Sequence, residues 1–401
     1  MAASLREDPY SSRILDNPYP VYKQIRDLGS AVWLPRRRLW AIGRFDDVRL
    51  ALRSDKILTS GNGVAANQFV NDRRAPIVLT SDAEIHERRR GVLQRPILPS
   101  PLKALRPRLE AEAERLVSRL SNGEPFDAMS AFAAHLPVTV VAELVGLNEE
   151  GRDNMLRWAA ATFNALGVMN CRGMRSIPTM LDLRKYVSRL DRSKLSPDGW
   201  AARLFEAADR GELSPVEARS MVIDYVAPAL DTTILATGSM VWRLATTPGA
   251  FDALRADPSL IPSAVNEAVR LASPIRGFTR HAVSDFQIGD TTIPQAARVL
   301  ILYASANRDE RKYPEPDAFD VTRNPRDHVG WGHGPHTCVG MHLSRLEMEV
   351  LLGALVKQVA GIEVGEPRLL RNNVLQGFER LPTSFRRAPH HRAAAMPALA
   401  Q

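Results

Sequence analysis

Residues 331–340, which read WGHGPHTCVG, decide how the rest of the chain is interpreted. They place Cys338 at the end of a glycine-punctuated loop and directly before a predicted helix. Backbone N–H groups and the positive end of that helix are expected to favour a thiolate over a thiol. Gly332, Gly334 and Gly340 allow a large, flat group to approach the backbone beside the sulfur. A small, buried, unreactive cysteine is the alternative interpretation, and this loop alone does not exclude it.

The composition limits the class of protein. The chain has 401 residues, 45% hydrophobic and 24% charged, with 28 prolines, 24 glycines and 2 cysteines. These values are typical of a globular protein and not of a disordered, collagen-like or disulfide-rich one. Cys171 and Cys338 lie far apart, so neither a zinc site nor a redox disulfide is indicated. The formal net charge of +8 indicates a basic surface, which requires a partner or another explanation.

Neither a secretion signal nor a membrane span is predicted. The first residues contain acids and prolines without an apolar core. The most apolar stretch, 221–242, is interrupted by Asp224, Pro228 and Asp231, which are unfavourable in a bilayer. We therefore expect a cytoplasmic protein.

Hydrophobic periodicity predicts a mainly α-helical chain with small β-sheets, an α+β arrangement. Helices are predicted at 20–28, 102–120, 131–145, 154–166, 215–246, 262–271 and 341–359. Strands are predicted within 31–42 and 286–303, and the long polar loop over 307–340 is expected to be functional. No repeat or flexible linker is evident, so we expect one domain over 9–387, an N-terminal tail over 1–8 and a disordered C-terminal tail over 388–401.

The cysteine loop resembles the haem-ligand signature of the cytochrome P450 family, in which an aromatic residue, spaced glycines and a basic residue precede the axial cysteine. Gly334, His336 and Gly340 match this signature, whereas Trp331 stands where the family usually has Phe. The resemblance implies the P450 fold, with haem b between the long central helix and the helix that follows the cysteine. It implies that Cys338 is the axial ligand of the haem iron, where a thiolate favours O–O cleavage.

Three further segments match the family in the correct chain order. The first is EAVR, which contains Glu267 and Arg270. Their i, i+3 spacing alone indicates an ion pair on a helix surface, of little energetic value. The resemblance implies instead a buried structural pair that Arg323 joins.

The second segment is the central helix. The resemblance assigns Asp231 and Thr232 to oxygen activation, in which the hydroxyl steadies iron-bound dioxygen and the carboxylate relays protons. Because Pro228 cannot donate a hydrogen bond to the carbonyl of Asp224, we expect a kink one turn before this pair. The family usually has Ala-Gly where this chain has Pro228 and Ala229.

The third segment starts a helix near residue 82. His86 and Arg90 lie four residues apart on one helix face, where they can bind carboxylates through charge-assisted hydrogen bonds. The resemblance implies that both bind the haem propionates, together with Arg280 and His336. As a set, these four residues are expected to supply the cations that a dicarboxylate cofactor requires.

The resemblance also implies a mainly apolar substrate pocket. The residues expected to line it are Asn62, Phe163, Leu166, Val226, Ala227, Ile275, Phe278 and Phe378. The segment RNNVLQGFERLP is similar to bacterial enzymes that O-demethylate para-substituted benzoates.

The positions that would hold a benzoate carboxylate, however, carry other residues in this chain. Asn62, Ile223, Asp224 and Ala227 replace the expected arginines and serines. We therefore favour a neutral small aromatic or terpenoid substrate. Arg276 is the one cation near the pocket that could reverse this preference, unless it faces solvent.

These features together predict a monooxygenase that inserts one atom of O2 into a small apolar molecule, by hydroxylation or O-dealkylation. The chain shows no flavin or reductase domain, so a separate ferredoxin and its NAD(P)H-dependent reductase are the expected electron source. Basic residues around the helix beneath the haem are expected to dock the acidic ferredoxin; they are Arg88, Arg89, Arg95, Lys103, Arg106 and Arg108.

Three alternative functions share some of these features. A peroxide-driven peroxygenase would share the haem ligands but would usually lack the Asp231–Thr232 pair. A haem-binding sensor or carrier would not need that pair. A nucleic-acid-binding protein finds no supporting motif and would leave the cysteine loop unexplained.

Overall fold

The computed structural model describes residues 3–388. Most of the predicted C-terminal tail lies outside the described residues. The α-helices, in chain order, are α1 (Ser12–Asp16), α2 (Tyr19–Leu28), α3 (Phe45–Arg53), α4 (Gln68–Asn71), α5 (Ala83–Leu93), α6 (Pro99–Leu120), α7 (Ala142–Val145), α8 (Glu149–Leu166), α9 (Cys171–Ser188), α10 (Trp200–Asp209), α11 (Pro215–Val226), α12 (Asp231–Thr246), α13 (Ala250–Ala256), α14 (Ile261–Ala272), α15 (Tyr303–Ala306) and α16 (Met341–Gln358).

Twelve short strands form small sheets within the described range. They are β1 (Val32–Leu34), β2 (Leu39–Ile42), β3 (Leu58–Thr59), β4 (Phe126–Asp127), β5 (Phe278–Ala282), β6 (Phe286–Ile288), β7 (Thr291–Ile293), β8 (Arg298–Ile301), β9 (Val359–Val364), β10 (Arg368–Leu369), β11 (Phe378–Arg380) and β12 (Pro382–Arg387). The largest sheet has the order β1-β2-β8-β5-β3, in which only β2 and β8 run parallel. A second sheet has the order β4-β12-β9, and β6-β7 and β10-β11 form separate pairs.

The predicted mainly α architecture with small sheets is confirmed, and most strongly periodic segments are helical as expected. Residues 129–145 depart from a regular helix, because they form two π-helical turns, Met129–Ala133 and Pro137–Val141, before α7. Within the predicted loop over 307–340, the only helical turns are two short 3₁₀ turns, Val329–Trp331 and Gly334–His336. This loop delivers the cysteine to the start of α16.

Helix packing builds the walls around the central part of the molecule. Helices α8 and α9 pack against each other, α6 packs against α16, and α12 packs against α14. Asparagine side chains cap two of these helices: Asn148 accepts from the Gly151 N–H at 3.1 Å, and Asn170 accepts from the Gly173 N–H at 3.0 Å.

The central helix is broken rather than kinked. Helix α11 ends at Val226, residues 227–230 form turns, and α12 begins at Asp231. Pro228 lacks the N–H that would continue the helical ladder, which explains the position of the break. The described residues contain no helix long and apolar enough to span a bilayer.

Candidate active site

An extended cavity borders α12 on one side and the cysteine loop on the other. The segment 63–80 and parts of α8, α9, α11 and β5 complete its walls. Its lining is mostly apolar, as expected for a ligand site, and includes Ile77, Val78, Leu79, Leu93, Val269 and Leu343.

The cysteine loop is held by backbone hydrogen bonds. The Cys338 N–H donates to the Trp331 carbonyl at 2.7 Å, and the Thr337 hydroxyl donates to the Gly334 carbonyl at 2.7 Å. Gly334 has φ +71°, and a Cβ at this position would lie 2.5 Å from the backbone oxygen of Leu52. Glycine is therefore required here both by conformation and by the close approach of α3.

The sulfur of Cys338 is accessible from the cavity, although protein surrounds it. Burial raises the pKa of the Cys338 thiol, and the opposing effects of the Gly340 and Met341 N–H groups and of Arg90 are smaller. The backbone N–H groups at the helix start therefore favour the thiolate as expected, but desolvation of the sulfur outweighs them. A metal ion on the sulfur would reverse this balance, because coordination deprotonates a thiol.

The four predicted propionate ligands lie in one region beside the cysteine loop. The rings of His86 and His336 are 4.2 Å apart, and Arg90, Arg280 and His336 line the cavity. Burial lowers the pKa of His86 and lowers that of His336 to about 2, and neighbouring positive charges make a smaller contribution in the same direction. Burial therefore disfavours the charged form of both histidines.

These residues fit a dicarboxylate cofactor with a sulfur-bound iron. Among residues 3–388, neither Arg90 nor Arg280 has a carboxylate within 4.0 Å; Arg280 donates to the Thr279 carbonyl at 2.9 Å. The buried Nε2 atom of His86 has no hydrogen-bond partner in the same range. Unpaired guanidinium groups at a buried site require anions, and two propionates would supply them.

Thr232 and Asp231 stand at the break in the central helix. The Thr232 side chain lines the cavity, and its hydroxyl donates to the Pro228 carbonyl at 2.9 Å. Asp231 does not line the cavity, since successive helical residues point about 100° apart. Burial raises the pKa of its carboxyl to about 7.

Glu267, Arg270 and Arg323 form the expected network away from solvent. Arg270 donates to both carboxylate oxygens of Glu267 at 2.7 Å, and both side chains are 0% exposed. The Arg323 Nε atom donates to the same carboxylate at 3.1 Å. Arg270 also donates to the carbonyls of Asn307 and Pro316, which ties α14 to the loop that leads to the cysteine.

Five of the eight predicted pocket residues line the cavity: Phe163, Leu166, Ala227, Ile275 and Phe278.

The other three predictions require correction. Asn62 is exposed, and its amide donates to the Thr59 hydroxyl at 3.3 Å. Val226 is 0% exposed and belongs to the hydrophobic core at the end of α11. Phe378 packs against Trp242, with ring centroids 5.8 Å apart.

Arg276 neither points into the cavity nor faces solvent. Its guanidinium is buried and donates to the carbonyls of Asn372, Leu375 and Leu15 at 2.6 to 2.9 Å. The residue therefore joins the N-terminal and C-terminal parts of the chain and cannot hold a substrate anion.

Sequence reasoning missed several polar residues in the cavity wall. Arg74, Arg184 and Glu347 line the cavity. Asp224, one of the positions that the sequence placed near the substrate, also lines it and accepts a hydrogen bond from the Val78 N–H at 2.9 Å. No local motif marks these positions, because only the tertiary packing brings them to the cavity.

The predicted basic docking cluster is also partly wrong. Arg89 is buried, and Arg88 and Arg89 both pair with Glu217. Arg95 pairs with Glu212, Arg106 with Glu110 and Glu349, and Arg108 with Glu143. Among residues 3–388, five of the six predicted cations are therefore neutralised within the protein, and Lys103 is the one that is not.

The protein-family model described as Cytochrome P450 matches residues 183–359. CYP199A2 of Rhodopseudomonas palustris is 36% identical over 94% of this chain and 92% of its own length. The chain belongs to the cytochrome P450 family. Cytochrome P450 107B1 of Saccharopolyspora erythraea is 31% identical over 86% of this chain and 88% of its own.

Solved P450 structures have the same fold. Cytochrome P450 CYP109Q5 from Chondromyces apiculatus superposes with a TM-score of 0.79 at 26% identity, over 97% of this chain and 100% of the other. The tirandamycin C-bound P450 monooxygenase TamI gives a TM-score of 0.81 at 28% identity, over 95% and 99%. This P450 is therefore a haem-thiolate monooxygenase, and its cofactor is haem b.

Proposed function

We propose that this P450 inserts one oxygen atom from O2 into a small organic molecule with an apolar body, by hydroxylation or O-dealkylation. The observation that carries the proposal is the coincidence, in one mostly apolar cavity, of Cys338 and the unpaired Arg90 and Arg280 with the hydroxyl of Thr232. Residues from Gly63 to Glu347 contribute to this cavity, which supports one functional domain over 9–387.

The haem supplies dioxygen binding and activation when it is bound. In this proposal, Cys338 would bind the haem iron, Arg90 and Arg280 would neutralise the propionates, and His86 and His336 would add hydrogen bonds. Both arginines are already desolvated, so their charge acts strongly on bound carboxylates.

Thr232 is proposed to deliver protons on the cavity side of α12, and Asp231, which does not line the cavity, is proposed to supply them. A carboxyl whose pKa is about 7 exchanges protons readily at neutral pH, as a relay requires. The Thr232 hydroxyl donates its hydrogen bond to the Pro228 carbonyl. Its oxygen can still accept a hydrogen bond from another donor.

The axial ligand can be tested with the chain's two cysteines as a matched pair. We expect Cys338→Ala to abolish the characteristic thiolate absorption band of the ferrous carbon monoxide complex. Cys171→Ala should retain it, since Cys171 is exposed at the start of α9. A thiolate band that survives Cys338→Ala would overturn the assignment.

The reaction can be tested by supplying NADH, a ferredoxin and its reductase to the holoenzyme with candidate substrates. We expect oxygen consumption with a product that contains one atom from ¹⁸O₂. Product formation with hydrogen peroxide alone, and none with the electron-transfer proteins, would favour the peroxygenase. Haem binding without either reaction would favour the sensor or carrier.

We also propose that a separate ferredoxin donates the electrons at a groove beside the cysteine helix. Exposed or partly exposed basic residues line this groove: Lys103, Arg106, His342 and Arg345. Glu349 also lines it and pairs with Arg106 at 3.0 Å. Lys103 has no carboxylate within 4.0 Å in the described chain, so its charge is available to an acidic partner.

The docking proposal is tested by charge reversal at matched lysines. We expect Lys103→Glu to slow reduction of the haem by an acidic ferredoxin, with a smaller effect at high salt. Lys194→Glu, on the exposed turn before α10, serves as the control. Equal rates for the two variants would contradict this docking site.

A further inference from the structure

Asp224 places a carboxyl group in a cavity wall that is otherwise mostly apolar. It lies near the end of α11, where Ile223 and Ala227 line the same cavity. Asp224 precedes Thr232 by about two helical turns, which corresponds to roughly 12 Å at the rise of an α-helix. The cavity borders both side chains, so the apolar body of a small molecule can lie between them.

No cation in the described chain neutralises this carboxyl group. Among residues 3–388, no lysine, arginine or histidine nitrogen lies within 4.0 Å of an oxygen of Asp224. Arg89 is the cation that acts on it from further away. Arg89, however, pairs with Glu217 at 2.9 Å and donates to the Ile77 carbonyl at 3.3 Å. Asp224 is therefore an acid without an ion-pair partner beside a mostly apolar space.

Backbone groups satisfy part of the hydrogen-bonding capacity of Asp224. The Val78 N–H donates to its Oδ2 atom at 2.9 Å, and the Leu79 N–H also favours the charged form. An ionised carboxylate has about four acceptor sites, so these two groups leave about half of them to a ligand. Burial outweighs both N–H groups and raises the pKa of Asp224 to about 7. The charged form therefore lacks the solvation that water would give it.

We propose that Asp224 binds a hydroxyl group of the substrate, which is an apolar molecule with this hydroxyl at the end remote from the haem. A hydroxyl supplies the hydrogen bond that the carboxylate lacks. A substrate carboxylate meets a like charge at Asp224, and an ammonium group meets the positive charge of Arg184 in the same cavity wall. The inference rests on the proposed function, because Asp224 orients a substrate whose other end is oxidised at the haem.

The test compares hydroxyl compounds with partners in which a methyl group replaces the hydroxyl. The probes are 4-propylphenol against 1-methyl-4-propylbenzene, and 4-propylbenzyl alcohol against 1-ethyl-4-propylbenzene. Dissociation constants are measured from the spin-state shift of the ferric holoenzyme at pH 8, where Asp224 is mostly ionised. The hydroxyl preference is the dissociation constant of the methyl compound divided by that of its hydroxyl partner. We expect a preference of about tenfold or more for at least one pair.

The variant Asp224→Asn separates a binding role from a purely structural one. The amide oxygen can still accept the Val78 N–H, so the amide nitrogen takes the place of the second carboxylate oxygen. The hydroxyl preference should fall by about tenfold, while the methyl compounds bind as before. If Asp224 merely anchors the backbone at Val78, both members of each pair should change in parallel. Asp153→Asn, on the exposed face of α8, makes the same change away from the cavity and should leave the preference intact.

Three results would overturn the role of Asp224: equal binding within both pairs, a hydroxyl preference that survives Asp224→Asn, or no spin-state shift with either hydroxyl compound in enzyme with an intact ferrous carbon monoxide band. Loss of that band in the unaltered protein would instead refute the proposed function, so the two failures are distinguishable.

Discussion

Replacement of Arg270 by methionine should remove a large part of the folding free energy. The change leaves the fully buried Glu267 carboxylate without its bidentate partner, at a cost of about 3 to 5 kcal/mol. It also removes donors from the Asn307 and Pro316 carbonyls, at about 1 kcal/mol each. Because Arg323 still contacts Glu267 at 3.1 Å, we expect a total near 5 kcal/mol.

The matched control is Arg371→Met. Arg371 also binds a carboxylate through two nitrogens, at 2.8 and 2.7 Å from the oxygens of Asp16, but its side chain is 60% exposed. Exposed pairs contribute at most about 1 kcal/mol. Burial is therefore the main difference between the two pairs.

Urea unfolding of the holoenzyme, followed by far-ultraviolet circular dichroism and by haem absorbance, measures both variants. If Arg270→Met does not accumulate as folded protein, Arg323→Met offers a smaller change, since it removes one bond to Glu267 from a side chain that is 15% exposed. The reasoning is refuted if Arg270→Met and Arg323→Met both destabilise the protein no more than Arg371→Met.

Three further predictions concern the cavity and the cysteine loop. Thr232→Val should lower the amount of product formed per O2 consumed by about tenfold or more. Thr246→Val, at the exposed end of α12, removes the same kind of hydrogen bond from a threonine hydroxyl to the carbonyl four residues earlier and should not lower this ratio. Equal ratios in the two variants would contradict the role of Thr232 in proton delivery. Burial raises the pKa of the Asp224 carboxyl from 3.8 to about 7. Its contribution to the free energy of unfolding is therefore fully present below pH 4 and falls by up to about 4 kcal/mol as the pH rises towards 7. Asp224→Asn should flatten that part of the urea-stability profile, and an unchanged profile would count against the assignment. Gly334→Ala should lower the melting temperature more than Gly123→Ala. Both glycines have positive φ, but of the two only Gly334 has backbone atoms within 4 Å of the added Cβ. Similar decreases in melting temperature would mean that this crowding is unimportant.

Strong local signals explain the parts of the fold that the sequence predicts. The helices at α6 and α14 carry clear apolar periodicity, and the cysteine loop combines glycines with a helix start. Helix α9 was missed because Gly173 and Pro178 weaken its pattern. Gly173 is needed by packing, since a Cβ there would lie 2.4 Å from the Val168 carbonyl oxygen.

The cavity wall was predicted less well, for a physical reason. Val226 and Ala227 are adjacent in sequence, yet the break at 227–230 directs Ala227 to the cavity and leaves Val226 in the core. Whether an arginine is paired also depends on distant residues: Arg89 pairs with Glu217, whereas Arg184 has no carboxylate within 4.0 Å in the described part of the chain. Such partners are set by tertiary structure and leave no local pattern.

The buried Arg276 has a practical consequence for protein engineering. It joins the carbonyls of Leu15, Asn372 and Leu375, and the neighbouring Ile275 is both bridged to Leu375 and part of the cavity wall. The two ends of the chain thus brace the region that contacts substrate. Shortening the N-terminus to improve expression would remove an acceptor from a buried guanidinium, and a selectivity library at Ile275 should keep residues 12–16 and 372–375 intact.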